Sequence, residues 1–129
     1  MTGDAPIPPI TEQITFLMVA DLERSDSFYS GLLGLPLVLD QGSCRIFGTG
    51  GSAFIGLCAR PDQVSTDGII VTLVSPAVDA WHDRLSAHRV SVVKPPTYFD
   101  EYLVYHAFYR DPDGYLVEIQ EFRDPRWPC

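Results

Sequence analysis

The predicted secondary-structure elements of this chain occur twice in the same order. In the first half, the apolar strand "ITFLMV" leads to Asp21, a helix N-cap residue, and to an amphipathic helix that ends at Gly34. The strand "LPLVLD" and a hairpin in "CRIFGTGGSAFIGLC" follow. In the second half, "IIVTLV" predicts a strand, "AVDAWHDRLSAH" a helix, "VSVVK" a strand, and "LVYHAFYR" with "YLVEIQEF" a hairpin around "DPDG". Each half therefore predicts the order strand, helix, strand, strand, strand.

This repeat predicts an α+β fold built from two tandem βαβββ units in a single domain, residues 1–129. We place the first unit at residues 12–58, a linker at 59–68, the second unit at 69–122 and a C-terminal tail at 123–129. One helix covers only one face of a small sheet, so each unit must bury its other face on something else. Two such sheets facing each other would form a cupped cavity. The sequence leaves open whether one chain or two chains close it, and we expect a homodimer.

The composition excludes several classes of partner. The formal net charge is −8, which disfavours binding to nucleic acid and to anionic membranes and mildly favours a cationic small molecule. No apolar run approaches the roughly 20 residues that span a bilayer, and the first residues do not resemble a signal peptide. We therefore expect a soluble, cytoplasmic protein.

The three cysteines form no CxxC pair and have no histidine close by in the sequence. This pattern predicts neither a disulfide framework nor a zinc site. We expect Cys44 and Cys58 to be buried free thiols.

Glu118 lies among Tyr115, Leu116, Val117 and Ile119 in the strand "YLVEIQEF". The two-residue period of a strand places Leu116, Glu118 and Gln120 on one face, and Tyr115, Val117 and Ile119 on the face packed under the helices. We expect Glu118 to point into the concave side of the sheet. The alternative is a glutamate that makes only an ion pair or faces water.

The segments "ITFLMVADLERSDSFYSGLLGLPL" and "FYRDPDGYLVEI" together resemble the vicinal oxygen chelate superfamily, which comprises glyoxalases, bleomycin-resistance proteins and extradiol dioxygenases. The resemblance extends from about Ile14 to Phe122 and implies two βαβββ units with cupped mixed sheets. In the metal-using members, the first and last strands of each unit supply His and Glu ligands to a divalent ion, which binds two neighbouring substrate oxygens.

The corresponding positions of this chain are Ile14, Gly56, Ile69 and Glu118. Only Glu118 can coordinate, and adding His106 from the partner strand gives two ligands at most. We therefore expect no metal and no other cofactor.

Without a metal, the resemblance implies a pocket for an organic molecule, as in the bleomycin-resistance type. We expect a metal-independent small-molecule binding protein with Glu118 as its polar anchor. The expected ligand-binding residues are Ile14, Phe16, Met18, Ile69, Val71, Leu73, His106, Phe108 and Glu118. We expect no lysine or arginine in the strands next to Glu118. The alternative is a lyase, isomerase or dioxygenase-like enzyme in which Glu118, with His106, serves as acid and base or as a metal ligand.

Overall fold

A computed structural model describes residues 5–128 of the chain. The first unit contains β1 (Gln13–Val19), α1 (Leu22–Asp26) continued by a π-helical turn (Ser27–Leu32), β2 (Leu37–Asp40), β3 (Cys44–Gly50) and β4 (Ala53–Ala59). A short 3-10 turn (Pro61–Gln63) lies between the units. The second unit contains β5 (Ile70–Val74), α2 (Val78–Ala87), β6 (Ser91–Phe99), β7 (Val104–Arg110) and β8 (Leu116–Phe122). The expected α+β fold of two tandem βαβββ units is confirmed.

The two units form separate mixed sheets with the same strand arrangement. The spatial orders are β1-β4-β3-β2 and β5-β8-β7-β6. In each sheet the first strand of the unit pairs in parallel with the last, and the remaining neighbours are antiparallel. The strand that carries Glu118 is therefore an interior strand of its sheet, with β5 on one side and β7 on the other.

One continuous core lies under both sheets. From the first unit it contains Leu17 and Val19, and from the second Val71, Val117 and Ile119, together with apolar residues of both helices. The expected core placement of Tyr115, Val117 and Ile119 is confirmed, since all three are at most 1 % exposed. We call the sheet face opposite this core the outer face.

The turn between β7 and β8 attaches the second unit to the first. Asp113 accepts hydrogen bonds from the Ala20 amide, the Ser25 hydroxyl and the Arg24 guanidinium, at 3.0–3.1 Å. The Tyr115 hydroxyl donates to the carbonyl oxygen of Met18 at 2.6 Å. These contacts hold the start of β8, and hence Glu118, in a fixed position relative to the first unit.

The expectation of free thiols at Cys44 and Cys58 is wrong, because the structure joins these residues in a disulfide. They are directly opposite each other on β3 and β4, where neighbouring side chains on one face come into contact. The sequence separation of 14 residues concealed this pairing, since it depends on the register of the hairpin. The third cysteine, Cys129, lies outside the described residues.

Within residues 5–128, no helix is long and apolar enough to cross a membrane.

Candidate functional site

Glu118 lies on the outer face of the second sheet and is only 8 % exposed. Its nearest Cα partners are Thr72 on β5 and Phe108 on β7. Two-residue alternation along β8 places Val117 and Ile119 in the core and turns Glu118 away from them. The strand pattern that buries the core therefore also presents this carboxylate on the opposite face.

Both carboxylate oxygens of Glu118 already accept hydrogen bonds. The Thr72 hydroxyl donates to Oε1 at 2.8 Å, and His106 Nδ1 lies 2.6 Å from Oε2. Since a carboxylate can only accept, the proton of this short contact lies on Nδ1. The other ring nitrogen, Nε2, lies next to Lys94.

Lys94 on β6 completes the polar network. Its Nζ lies 3.4 Å from His106 Nε2 and 5.1 Å from the centre of the Phe99 ring. The Phe99 ring in turn stacks on the His106 imidazole with 5.6 Å between centroids. Thr72, Glu118, His106 and Lys94 thus form a continuous chain across all four strands of the second sheet.

This chain lies in a concave cavity of about 580 Å³, which we call the Glu118 cleft. The lining comes entirely from the second unit and contains Ile70, Lys94, Phe99, Tyr102, Val104, His106, Phe108, Glu118, Gln120 and Phe122. Lys94, Phe108, Glu118 and Thr72 are register neighbours towards one end, and Phe99, Val104 and Phe122 towards the other. The residues around Phe122 therefore form an apolar end, whereas the end towards Glu118 combines polar side chains with Phe108 and Ile70.

Aromatic side chains from the β6–β7 turn and the tail form the rim at the apolar end. Tyr102 is 64 % exposed and packs edge-on against Phe99. Leu103 has φ of 54°, a conformation that non-glycine residues rarely adopt, at the end of this turn. Trp127 stacks on Phe122 with 3.8 Å between ring centroids. The described part of the tail thus folds back onto the sheet that carries the cleft.

The structure brings together three of the sequence-predicted site residues, His106, Phe108 and Glu118. Val71 and Leu73 do not belong to the cleft. Val71 is part of the core and Leu73 packs against it, so the expected strand parity is wrong by one residue. Ile69 precedes β5 and lines neighbouring grooves rather than the cleft.

The remaining three expected cavity residues, Ile14, Phe16 and Met18, lie on the outer face of the first sheet. They alternate with the core residues Leu17 and Val19, as expected for one face of a strand. None of the three lines the Glu118 cleft of the same chain. Ile14 and Phe16 are instead 40 % and 46 % exposed.

Sequence reasoning missed Lys94, Thr72 and Ile70. The expectation considered only the strands next to Glu118, whereas Lys94 lies one strand further away, on β6, and reaches the network by contacting His106. One signal was available: Lys94 is the only lysine of the chain, beside eight arginines. Two prolines follow it, and the pairing of β6 with β7 is irregular there, so strand alternation alone did not assign its face.

A family model described as Glyoxalase/Bleomycin resistance protein/Dioxygenase superfamily matches residues 10–119 of this chain. The chain belongs to this superfamily. No curated protein matches the sequence. The resemblance identified from the two sequence segments is therefore confirmed.

Several solved structures share the fold of this chain. A lactoylglutathione lyase from Agrobacterium tumefaciens is 25 % identical over 88 % of this chain and 95 % of that chain, with a TM-score of 0.70. A glyoxalase/bleomycin resistance protein/dioxygenase from Nocardioides is 21 % identical over 97 % of this chain and 91 % of that chain, with a TM-score of 0.69. TioX from Micromonospora sp. ML1 is 21 % identical over 85 % of this chain and 97 % of that chain, with a TM-score of 0.70.

The residues of this chain do not fit the metal site that the superfamily resemblance implies. Strand pairing places Ile70, rather than Ile69, in the cleft beside Glu118, and Ile14 and Gly56 lie on the other sheet. None of these three has a side-chain donor atom. Among residues 5–128, no group of three His, Cys, Asp or Glu side chains is placed to hold an ion.

Proposed function

We propose that this superfamily member is a metal-independent, homodimeric small-molecule binding protein whose ligand occupies the Glu118 cleft. The observation that carries the proposal is the combination of apolar, largely aromatic walls with one polar network built on the buried pair Glu118 and His106. Organic-ligand sites commonly have volumes of about 300–1,000 Å³, apolar walls and a few convergent polar groups. The Glu118 cleft, at about 580 Å³, has these properties.

The homodimer is supported by the two outer faces. Phe16 on the first sheet and Ile70 and Val74 on the second are 46 %, 53 % and 59 % exposed. Contiguous exposed apolar surface on a globular protein is typical of an interface. Because the two outer faces lie on different sheets around one core, a second copy can place its first sheet over the cleft of this one. Each cavity would then be completed by Ile14, Phe16 and Met18 of the partner subunit.

Sedimentation velocity tests the dimer. We expect the native protein to sediment as a dimer at micromolar concentration and Phe16→Asp to sediment as a monomer. Ile10→Asp is the matched control, because Ile10 is 92 % exposed and lies before β1, outside both outer faces. A native monomer, or two variants that behave alike, would contradict this assembly.

Thermal denaturation in the presence of a library of small aromatic and aliphatic compounds tests ligand binding. A bound ligand raises the unfolding temperature by mass action, because it binds the folded state alone. We expect hits whose stabilisation is lost in Phe108→Asp, which places a charge in the cleft. Hits unaffected by that substitution would place the ligand elsewhere.

One observation favours a second function, an enzyme that moves a proton. His106 is oriented by Glu118 through Nδ1, and its Nε2 faces a cation, Lys94, which could stabilise negative charge that develops on a substrate. Incorporation of solvent deuterium into a bound aryl ketone, lost in His106→Gln while binding persists, would support a lyase or isomerase. Binding without exchange would favour the binding protein.

A further inference from the structure

We infer that the ligand of the Glu118 cleft is a planar aromatic or conjugated molecule carrying an anionic oxygen, a carboxylate or a phenolate. The oxygen would contact Lys94, and the ring would lie among the aromatic side chains towards the other end of the cleft. This inference rests on the proposed binding function and names its ligand class. It replaces the cationic ligand that the net charge favoured.

Hydrogen bonds within the protein already engage Glu118 and His106 in the cleft. Both Glu118 oxygens are engaged, by Thr72 and by His106. His106 uses Nδ1 towards Glu118, and its Nε2 is in contact with Lys94. Both oxygens of the carboxylate are therefore already engaged within the protein, which makes Glu118 a weaker anchor for a cation than a free carboxylate.

The groups that remain free are the donors of Lys94 and the side-chain amide of Gln120. An ammonium has three N–H donors, and Lys94 directs only one of them towards His106. The Gln120 side chain, which is 9 % exposed and lines the same cleft, makes no hydrogen bond to any other described residue. Its amide can donate to a ligand oxygen. A ligand must supply acceptors to this pair, and an anionic oxygen satisfies both.

The charge of the cleft is a local property, distinct from that of the whole chain. The net charge of −8 repels anions at long range. Screening limits this repulsion to about 8 Å at physiological salt, whereas a contact with Lys94 in a concave, mostly apolar site is screened much less. Among the residues that line the cleft, Lys94 is the only permanent cation. Glu118 is the one acidic residue of this lining, and its oxygens are engaged by Thr72 and His106, so the free N–H groups of Lys94 favour an anionic ligand.

The apolar end of the cleft specifies the shape of the ligand. From Glu118 to Phe122 the strand advances four residues, or about 13 Å at 3.3 Å per residue. Over this distance the lining contains the aromatic rings of Phe99, His106, Phe108 and Phe122 and the Gln120 amide, with Tyr102 at the rim. Aromatic walls favour planar guests, which stack on or pack edge-on against them. Lys94 Nζ lies 5.1 Å from the centre of the Phe99 ring, so an oxygen bound to Lys94 places the rest of the ligand against these aromatic walls.

Matched naphthalene probes test the inference by calorimetric titration. The set is 2-naphthoate, 2-naphthalenemethanol, 2-naphthylmethylammonium, 4-nitro-1-naphtholate at a pH where it is ionised, and cyclohexanecarboxylate. We expect 2-naphthoate to bind more tightly than the neutral alcohol, and the cation to bind most weakly. Weak binding of cyclohexanecarboxylate would show the need for a planar ring. Tighter binding of the naphtholate than of 2-naphthoate would indicate a phenolate site, and the reverse order a carboxylate site.

Lys94→Met and Lys94→Arg separate charge from packing. We expect Lys94→Met to weaken 2-naphthoate by about tenfold or more, the loss typical of a hydrogen bond to a charged group, and to leave the neutral alcohol nearly unchanged. Lys94→Arg should retain most of the preference for the anion. Arg60→Met removes the same charge at an exposed position outside the cleft and should change neither affinity. Thermal unfolding of each variant confirms that it is folded.

A second measurement uses the uniqueness of Lys94. Reductive methylation with ¹³C-formaldehyde gives one side-chain lysine signal, because the chain has no other lysine. We expect 2-naphthoate to shift this signal and 2-naphthylmethylammonium to leave it in place.

The outcomes distinguish the ligand class from the binding function. A tighter complex with the cation than with the carboxylate, or an unchanged preference for the anion in Lys94→Met, would overturn the ligand class and leave the binding function standing. If no probe of any charge binds the native protein, the proposed binding function itself fails.

Discussion

The ring of Phe16 fills the space that a side chain at position 56 would need. A Cβ on Gly56 would lie 2.4 Å from Cδ1 and Cε1 of this ring, far inside van der Waals contact. Phe16 and Gly56 are Cα partners on β1 and β4, just as Thr72 and Glu118 are on β5 and β8. The two units have therefore diverged at equivalent positions: the first has an apolar surface where the second has its polar network.

This contact predicts that Gly56→Ala destabilises the protein. Overpacking costs about 1–3 kcal/mol, and we expect the lower part of this range because the half-exposed Phe16 ring can move towards solvent. Phe16→Ala in the same chain should remove most of the cost. Urea unfolding of the two single variants and the double variant measures the coupling. Additive free energies of unfolding would show that the ring does not restrict position 56.

The buried network predicts that Glu118→Ala is strongly destabilising. The substitution leaves the Nδ1–H of the buried His106 without its acceptor, and an unsatisfied buried group costs about 1–3 kcal/mol, whereas the hydroxyl of the exposed Thr72 can donate to water. Glu118→Gln should cost less, because the amide oxygen can still accept one of these bonds. Urea denaturation of the native protein, Glu118→Ala and Glu118→Gln measures the three free energies of unfolding.

Glu121→Ala on the same strand is the control for Glu118. Glu121 pairs with Arg123 at 2.8 Å in a partly exposed position, where ion pairs contribute about 0–1 kcal/mol. If both alanine variants lose the same small amount of stability, the network at Glu118 does not contribute to folding.

The disulfide between Cys44 and Cys58 predicts that reduction destabilises the protein. Closing a loop of this length contributes about 3 kcal/mol in the chain-entropy model, since it restricts the unfolded state. We expect dithiothreitol to lower the free energy of unfolding of the native protein and to leave Cys44→Ala/Cys58→Ala unaffected. If dithiothreitol destabilises both proteins equally, its effect does not come from reduction of the Cys44–Cys58 disulfide.

The same pair tests the predicted cytoplasmic location. A reducing cytosol keeps thiols free, whereas disulfides persist in oxidising compartments. Alkylation of intact cells before lysis, followed by peptide mass analysis, should find Cys44 and Cys58 alkylated if the protein is cytoplasmic. Linked peptides from these cells would argue for an oxidising compartment.

Tyr109 predicts a loss of stability at alkaline pH. Burial, with contributions from Asp79 and Asp83, raises the pKa of Tyr109 to about 12, and its hydroxyl lies 2.8 Å from His82 Nδ1. Because an unfolded tyrosine ionises near pH 10, folding favours the neutral form. This stabilisation is complete below about pH 10 and is lost as the pH rises towards 12.

Urea unfolding across this alkaline range measures the effect. We expect a steeper decline for the native protein than for Tyr109→Phe. Burial and Asp111 also raise the pKa of Tyr29. Tyr29 therefore contributes to the alkaline loss of stability in both proteins. If the free energy of unfolding declines equally with pH in the native protein and in Tyr109→Phe, then Tyr109 has the same pKa in the folded and unfolded states.

The local pattern of the sequence determined the fold and one face of its last strand. Hydrophobic alternation and turn residues act over a few neighbours, so the order of elements and the opposition of Glu118 to Val117 and Ile119 could be predicted without tertiary information. The same pattern gave no clear parity for the apolar run before Ser75, where Ile70 rather than Ile69 faces the cleft.

Tertiary structure decided everything that depends on which strands are neighbours and in which register. The contact of Lys94 with His106 joins β6 to β7, the Cys44–Cys58 disulfide joins β3 to β4, and the Phe16 ring over Gly56 joins β1 to β4. Each partner is distant along the chain, or is reached across a turn or an irregular register, and hydrophobic periodicity carries no information about such pairings. The sequence by itself therefore located a carboxylate on the outer face, and the pairing of the strands gave it a histidine, a lysine and a cleft.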